Sequence, residues 1–374
     1  MIYITAARHP SYGDLIVKTI GWGVIGCGGI ADRRTIPEGI IPAHKSNLVA
    51  VMDIDSATAR RVAQKYQVKY YDKEENLIKD SEVDAVYIAT PNHLHTRQAI
   101  DAAESGKDIF CEKPLALTLK ESQDIISACE KNDVKLQVGF MMRFHACHRE
   151  ALRIIKQGLI GHPVIGRAQL TCWYPEMPGA WRQDPKLGGG GCLMDMGIHC
   201  IDLLRMFLGE VKEVSALTGT LVFNYPVEDT SVVTLSFDTM AYGVVDNFFN
   251  IPDAAAQNRL EIYGTQGCIL ADGTIGQEST GKLKVYVQEE DRGYEAAQRR
   301  EAVGIRISEI SPTPLNMYKA EIDHFLQCIQ KDTETLNSGH EATKNLAVVL
   351  AAYESSATGK RIRVEPQEWP LHSL

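Results

Sequence analysis

Asp195 and His199 stand four residues apart behind a glycine run at residues 188–191. On a helix that spacing puts both side chains on one face. A carboxylate beside an imidazole can orient it and tune its proton affinity, and a histidine with a pKa near neutrality serves as a general base. Lys113, in Cys111-Glu112-Lys113-Pro114, sits at the end of a predicted strand. Turned toward a ligand cleft, such a cation can stabilise a developing alkoxide. The structural alternatives are an acid at a helix start, a histidine satisfied in the core and a solvated surface lysine.

A second group of residues binds rather than reacts. Gly26-Cys27-Gly28-Gly29-Ile30-Ala31 fits G-x-G-x-x-A between a predicted strand and a predicted helix, the context in which the pattern cradles a dinucleotide. Gly26 allows the tight turn, Gly28 lets backbone approach a pyrophosphate, and Ala31 permits close helix packing. Asp53 closes the second strand, where an acid accepts hydrogen bonds from ribose hydroxyls and repels a 2′-phosphate, so NAD is favoured over NADP. Its spacing from Gly26 exceeds the usual ~20 residues, and Pro37, Gly39 and Pro42 suggest an elongated first connection. Asp55 competes for the role, and Arg60 or Arg61 could meet a phosphate, so NADP is not excluded. Ala89-Thr90-Pro91-Asn92-His93-Leu94-His95 ends the third strand, at the sheet edge that an open α/β fold presents to its ligand. His145 and His148, and His93 with His95, have no cysteine or carboxylate completing a ligand set; a surface helix is expected for both pairs and no metal.

These residues need elements to hold them. The run TIGWGVIG reads as a buried strand ending at the glycines; NLVAVMDID and VDAVYIAT follow as strands, and SATARRVAQKY and PNHLHTRQAIDAAESGK as helices, the first from an N-cap at Ser56. DIFCE and KLQVGF are further strands flanking TLKESQDIISACEKN. Strands alternating with helices give a doubly wound parallel sheet, the Rossmann arrangement, over residues 18–140. From 141 to 374 the rhythm changes to longer runs rich in β-branched residues with hairpin-length gaps, an α+β domain with a large, mostly antiparallel sheet. Residues 1–17 read as an extension, and the polar segment 291–312 as a surface loop.

At 374 residues the chain exceeds the range of one growing core, consistent with two domains. A net charge of -9 and a pI near 5.7 argue against a general affinity for nucleic acid, which needs a basic face. Nine cysteines without a C-x-x-C pair fit a reducing, cytoplasmic setting. The first twenty residues lack a signal peptide's apolar core, and no stretch approaches the roughly 20 apolar residues of a membrane span.

In order and spacing, VIGCGGIA, Asp53, ATPNHLH, CEKPL, GF-x-x-RF at 139–144, GGGCLMDMGIHCIDLL and AAYESSATGKRIRV resemble the Gfo/Idh/MocA family of glucose-fructose oxidoreductases, inositol dehydrogenases and rhizopine-catabolism proteins. The resemblance runs from about residue 18 to residue 364. It implies an NAD(P)-dependent dehydrogenase that oxidises a secondary hydroxyl of a sugar, cyclitol or glycoside. It further implies that Lys113 hydrogen-bonds the reacting hydroxyl, that His199 takes its proton, and that Asp195 holds a substrate hydroxyl or supports the histidine. A cis peptide would precede Pro114. The cofactor surface would comprise Gly26, Gly28, Gly29 and Ile30 at the turn, Asp53, Thr90, Asn92 and His95, with Glu112 and Lys113 close by. Arg143, Tyr174, Trp181 and Arg182 match less constrained positions and are expected as substrate contacts. A homodimer or homotetramer joined through the second sheet is implied as well. Two rival readings are a nicotinamide-binding sensor without chemistry, and the redox-assisted glycoside cleavage that some members perform.

Overall fold

A computed structural model describes residues 18–290, 293, 294, 296 and 304–365; the extension expected at residues 1–17 lies outside them, as does much of 291–303. Six strands, β1 (Ile20–Ile25), β2 (Ser46–Met52), β3 (Lys69–Tyr71), β4 (Ala85–Ile88), β5 (Asp108–Cys111) and β6 (Leu136–Val138), form a parallel sheet in the order β3-β2-β1-β4-β5-β6. Every residue of β1 is buried, as expected of a central strand covered on both faces. The strand order reverses between β1 and β4, so a crevice opens beyond their carboxyl ends, where Gly26 and Thr90 lie.

After the glycine turn comes a wide helix, Ala31–Ile40, with i→i+5 bonding, as in the 3.0 Å hydrogen bond from Ile41 N to Ile36 O. The elongated connection inferred from Pro37 and Gly39 is therefore helical. A proline inside a regular α-helix clashes with the carbonyl four residues back, and the wider turn relieves that conflict. Gly39 lets this helix approach closely, since a Cβ there would sit 3.2 Å from the carbonyl oxygen of Tyr318. Tyr318 belongs to the helix Met317–Lys331, which returns late in the chain to cover the first sheet. Its Phe325 packs against Trp22 and Phe110, with ring centroids 5.7 and 5.8 Å away.

The second sheet has nine strands, β7 (Pro163–Thr171), β8 (Val211–Gly219), β9 (Thr230–Phe237), β10 (Tyr242–Phe248), β11 (Leu260–Gly264), β12 (Gly267–Asp272), β13 (Lys282–Gln288), β14 (Ile305–Ile310) and β15 (Ile362–Arg363). Their order is β14-β13-β12-β11-β7-β10-β9-β8-β15, and among the described residues only β7 and β10 pair in parallel. At residues 305–310, β14 corrects the surface loop expected across 291–312. It is an outer strand whose polar residues face water, which hides its alternation inside a charged stretch. One face of the sheet is covered by the helix Ile198–Leu208. There Gly166 of β7 leaves room for Leu204 and Leu208, which would otherwise meet its Cβ at 2.9 Å. No helix among the described residues is long and apolar enough to cross a membrane.

Candidate active site

The glycine turn is fixed by β2. Gly26 and Cys27 donate to Met52 O at 2.9 and 3.1 Å, and Gly28 N donates to Asp53 Oδ2 at 3.2 Å. Gly26 has a φ of 82° and a would-be Cβ only 2.8 Å from Thr90, so geometry and space both require glycine. Asp53 and Asp55 differ in position: Asp53 stands at the glycine turn, whereas Asp55 belongs to the next helix. Asp55, rather than Ser56, caps the helix Ser56–Tyr66, accepting from Ala57 N, Thr58 N and the Thr58 hydroxyl. Arg61 is paired with Asp32 at 2.8 Å, and Arg60 lies over the Tyr70 ring.

Lys113 follows β5, and its peptide to Pro114 is cis. Its Nζ donates to Asp195 Oδ1 at 2.8 Å and to Asp195 O at 2.6 Å, across 82 residues of sequence. Arg182 Nε reaches the same Oδ1 at 3.4 Å, and its guanidinium stacks 4.2 Å from the Trp181 ring. Burial alone would raise the Asp195 pKa, but Lys113 and then Arg182 hold it well below the usual carboxylate range. Asp195 is therefore bonded to the two cations rather than to His199.

His199 lies beyond Asp195, at the second position of the helix Ile198–Leu208, only 6% exposed and edge-on to Phe140. Burial first, and the positive Lys113 second, push its pKa down to about 3, while Asp195 partly opposes them. This lies below the near-neutral value expected from sequence, because burial and the Lys113 cation together outweigh the Asp195 carboxylate. The imidazole is thus uncharged. Its Nδ1 is buried without a hydrogen-bond partner among the described residues, and the residue lines the cavity described below.

The glycine run is a packing device more than a flexible one. Glu228 accepts from Gly191 N, Leu193 N and the Tyr353 hydroxyl at 2.9, 3.0 and 2.8 Å. A Cβ on Gly190 would lie 2.0 Å from that hydroxyl, and one on Gly191 1.9 Å from Glu228 O.

A cavity of about 620 Å³ joins these parts. Gly29, Ile30 and Arg33 line it beside the turn; Thr90, Asn92, Glu112 and Lys113 line it at the strand ends; Tyr174, Trp181, Arg182, Asp195 and His199 line it from the second half. Asn92 also donates to Gly188 O at 2.8 Å and so ties the two halves together. Glu112 accepts from Tyr87 at 2.5 Å, and burial pushes its carboxyl pKa up. His95 is fully buried and does not line the cavity. Its two ring nitrogens lie 2.9 and 3.0 Å from the carbonyls of Pro114 and Thr90, bracing the loops that do.

Arg143 is also kept from the cavity. It is 7% exposed and grips Asp202 from Nε at 3.0 and 2.9 Å, with Glu341 at 3.4 Å. His145 and His148 correct the surface helix expected for them: both are buried, and they bond Thr280 O and Thr274 Oγ1 of the loop at 273–281. Sequence reasoning missed Asp253, Asn258, Gln277, Arg33 and Tyr318, all of which line the cavity. Asn258 and Gln277 sit on loops and Tyr318 on a late helix, whose return to the cleft has no local signal; Arg33 stands in the helix after the glycine turn.

The fit to a dinucleotide can be judged from the turn itself. A Cβ built on Gly29 would meet nothing within 4 Å, so backbone there is open to a ligand, and Asp53 stands at the turn where a ribose would lie. The residues fit.

A family model described as an oxidoreductase family with an NAD-binding Rossmann fold matches residues 20–140, and the GFO/IDH/MocA C-terminal domain matches residues 148–270. The chain is 30% identical to the uncharacterized oxidoreductase YrbE of Bacillus subtilis, over 94% of this chain and 99% of that one. It is 28% identical to 1,5-anhydro-D-fructose reductase of Ensifer adhaerens, over 92% and 98%. Among solved structures, the aldose-aldose oxidoreductase from Caulobacter crescentus complexed with glycerol superposes with a TM-score of 0.82 at 26% identity, covering 92% of this chain and all (100%) of that one. Levoglucosan dehydrogenase in complex with NADH and levoglucosan gives 0.81 at 25%, covering 93% and 100%.

Proposed function

The chain belongs to the Gfo/Idh/MocA family of oxidoreductases, with its NAD-binding Rossmann fold, and from that premise we propose that it oxidises a secondary hydroxyl of a sugar, a cyclitol or a glycoside. The observation that carries this reading is the meeting of Lys113 from one half with Asp195 and His199 from the other on the cavity that begins at the glycine turn. A nicotinamide, when bound, supplies the acceptor for the carbinol hydride. Gly28, Gly29, Asp53, Thr90, Asn92 and Glu112 would hold it. NAD is the cofactor favoured, because Asp53 places a negative charge at the turn while Asp55 is consumed as a helix cap.

The chain's own residues manage the proton and the charge. His199, neutral and lining the cavity, takes the hydroxyl proton. Lys113 donates a hydrogen bond to the same oxygen and stabilises negative charge developing there. Asp195 holds the ammonium in place, and Arg182 shares that carboxylate so that Lys113 can turn one N–H toward substrate. Tyr174, Trp181 and Arg182 border the space left for a polyol. Relatives named for 1,5-anhydro-D-fructose and levoglucosan support a ring polyol as the substrate class.

The test is a panel of inositols, aldoses and glycosides incubated with NAD and NADP in parallel, followed by the near-ultraviolet absorbance of reduced nicotinamide. Reduction with at least one polyol is expected, faster with NAD. Tight NADH binding with no turnover on any member would overturn the reading in favour of a sensor. Release of an aglycone without accumulating NADH would replace it with glycoside cleavage.

A further inference from the structure

The chain is acidic overall, so a doubly charged pyrophosphate approaching the glycine turn meets a repulsive field unless a local cation answers it. Most basic side chains around the turn are already committed. Arg61 and Lys65 bind Asp32 at 2.8 and 2.7 Å, and Arg34 binds Glu38 and Glu278 at 2.8 and 3.1 Å. Arg60 lies over the Tyr70 ring, 5.5 Å from its centroid.

Arg33 differs from all of these. It stands in the wide helix that follows the turn, and its Nε donates to Gly29 O at 3.1 Å, the carbonyl four residues back. That bond folds the guanidinium back over the turn. Among the described residues no carboxylate pairs with it, and of these five basic residues it alone lines the cavity, beside Gly29 and Ile30. A guanidinium anchored through Nε keeps two terminal nitrogens in a fixed fork, the geometry that matches two phosphate oxygens.

We propose that Arg33 is a binding residue for the pyrophosphate of the dinucleotide, a role that rests on the dehydrogenase reading above. Its anchor on Gly29 O places it at the turn rather than at the ribose 2′-position, which is marked by Asp53 on Gly28 N. The residue thus adds a full positive charge to the partial charge of the helix end, against the chain's acidic net field.

The experiment is a fluorescence titration with NADH, with ADP-ribose and NADPH as competitors, at several salt concentrations. The proteins compared are the wild type, Arg33→Gln, Arg33→Lys and Arg61→Gln. Arg33→Gln is expected to raise the Kd for NADH and ADP-ribose alike by about tenfold, with a shallower salt dependence. Arg33→Lys should recover part of the loss, because the charge returns without the fork. Arg61→Gln should leave both Kd values unchanged. A change smaller than about twofold in Arg33→Gln overturns the assignment. So does an altered preference between NADPH and NADH, which would move Arg33 to the ribose 2′-position. A wild type that binds neither NADH nor ADP-ribose would defeat the dinucleotide reading itself, an outcome distinct from wild-type binding with an indifferent variant.

Discussion

Among the described residues Lys113 has one carboxylate partner, and that partner is shared with Arg182. Removing the lysine leaves Asp195 still balanced by the arginine, so Lys113→Ala should fold and bind NADH within about twofold of the wild type. Turnover should fall by roughly 10²–10³, the range seen when a single charge-stabilising donor is lost. Steady-state kcat alongside an NADH titration checks both halves of that expectation.

Buried histidines set the acid side of stability. His199 and His148 are each pushed from 6.5 to about 3, in both cases by burial first. Between those values the unfolded chain binds protons that the native state refuses, so stability is present above the unfolded pKa and is lost as pH falls. Asp195 adds to the loss below the ordinary carboxylate pKa, because its pKa is lowered in the fold. Denaturant midpoints should therefore fall on acidification from the ordinary histidine pKa downward. His148→Asn should flatten the slope by about one proton's worth, ~1.4 kcal/mol per pH unit. An unchanged slope would mean that His148 is protonated in the fold. The meeting of Lys113, Asp195 and His199 on one cavity was legible in the sequence because each sits in a patterned block. The isolation of Arg143 was not, since its partner Asp202 lies 59 residues away and no local feature marks the pair.

At the scale of elements, the glycine run and Glu228 form the hinge on which the Asp195 segment rests. Asp195 N donates to Gly191 O at 2.9 Å, so displacing Gly191 moves the carboxylate that holds Lys113. Gly191→Ala should cost about 1–3 kcal/mol through the forced contact with Glu228 O. It should also lower kcat more than it alters NADH binding. Urea unfolding combined with kinetics separates this from simple loss of folded protein. A variant with wild-type kcat would show that the run does not position Asp195. The alternation of strands and helices in the first half was legible because hydrophobic period and turn residues agree there. The wide helix was not, because i→i+5 bonding leaves no compositional mark. Nor was β14, whose charged outer-strand residues imitate a loop.

The molecule as a whole brings together segments far apart in sequence, and its largest illegible feature is of that kind. The helix Met317–Lys331 seals the first sheet although the chain has by then built the second, and only tertiary packing of Phe325 on Trp22 reveals it. The outward face of the second sheet carries the other global consequence. Leu217 and Val232 are register partners on β8 and β9, Leu217 is 76% exposed, and Tyr242 of β10 is exposed on the same face. Such a patch favours association of copies. Light scattering should give at least a dimer, and Leu217→Lys should shift it toward monomer. A monomeric wild type would remove this expectation. The central claim is that Lys113 and His199 flank a carbon whose hydrogen leaves as hydride for the nicotinamide. Its most direct test uses a polyol turned over by the enzyme and deuterated at the carbon to be oxidised, with the reduced cofactor weighed by mass spectrometry. The account predicts one deuterium carried on the nicotinamide; reduced cofactor without the label would contradict it.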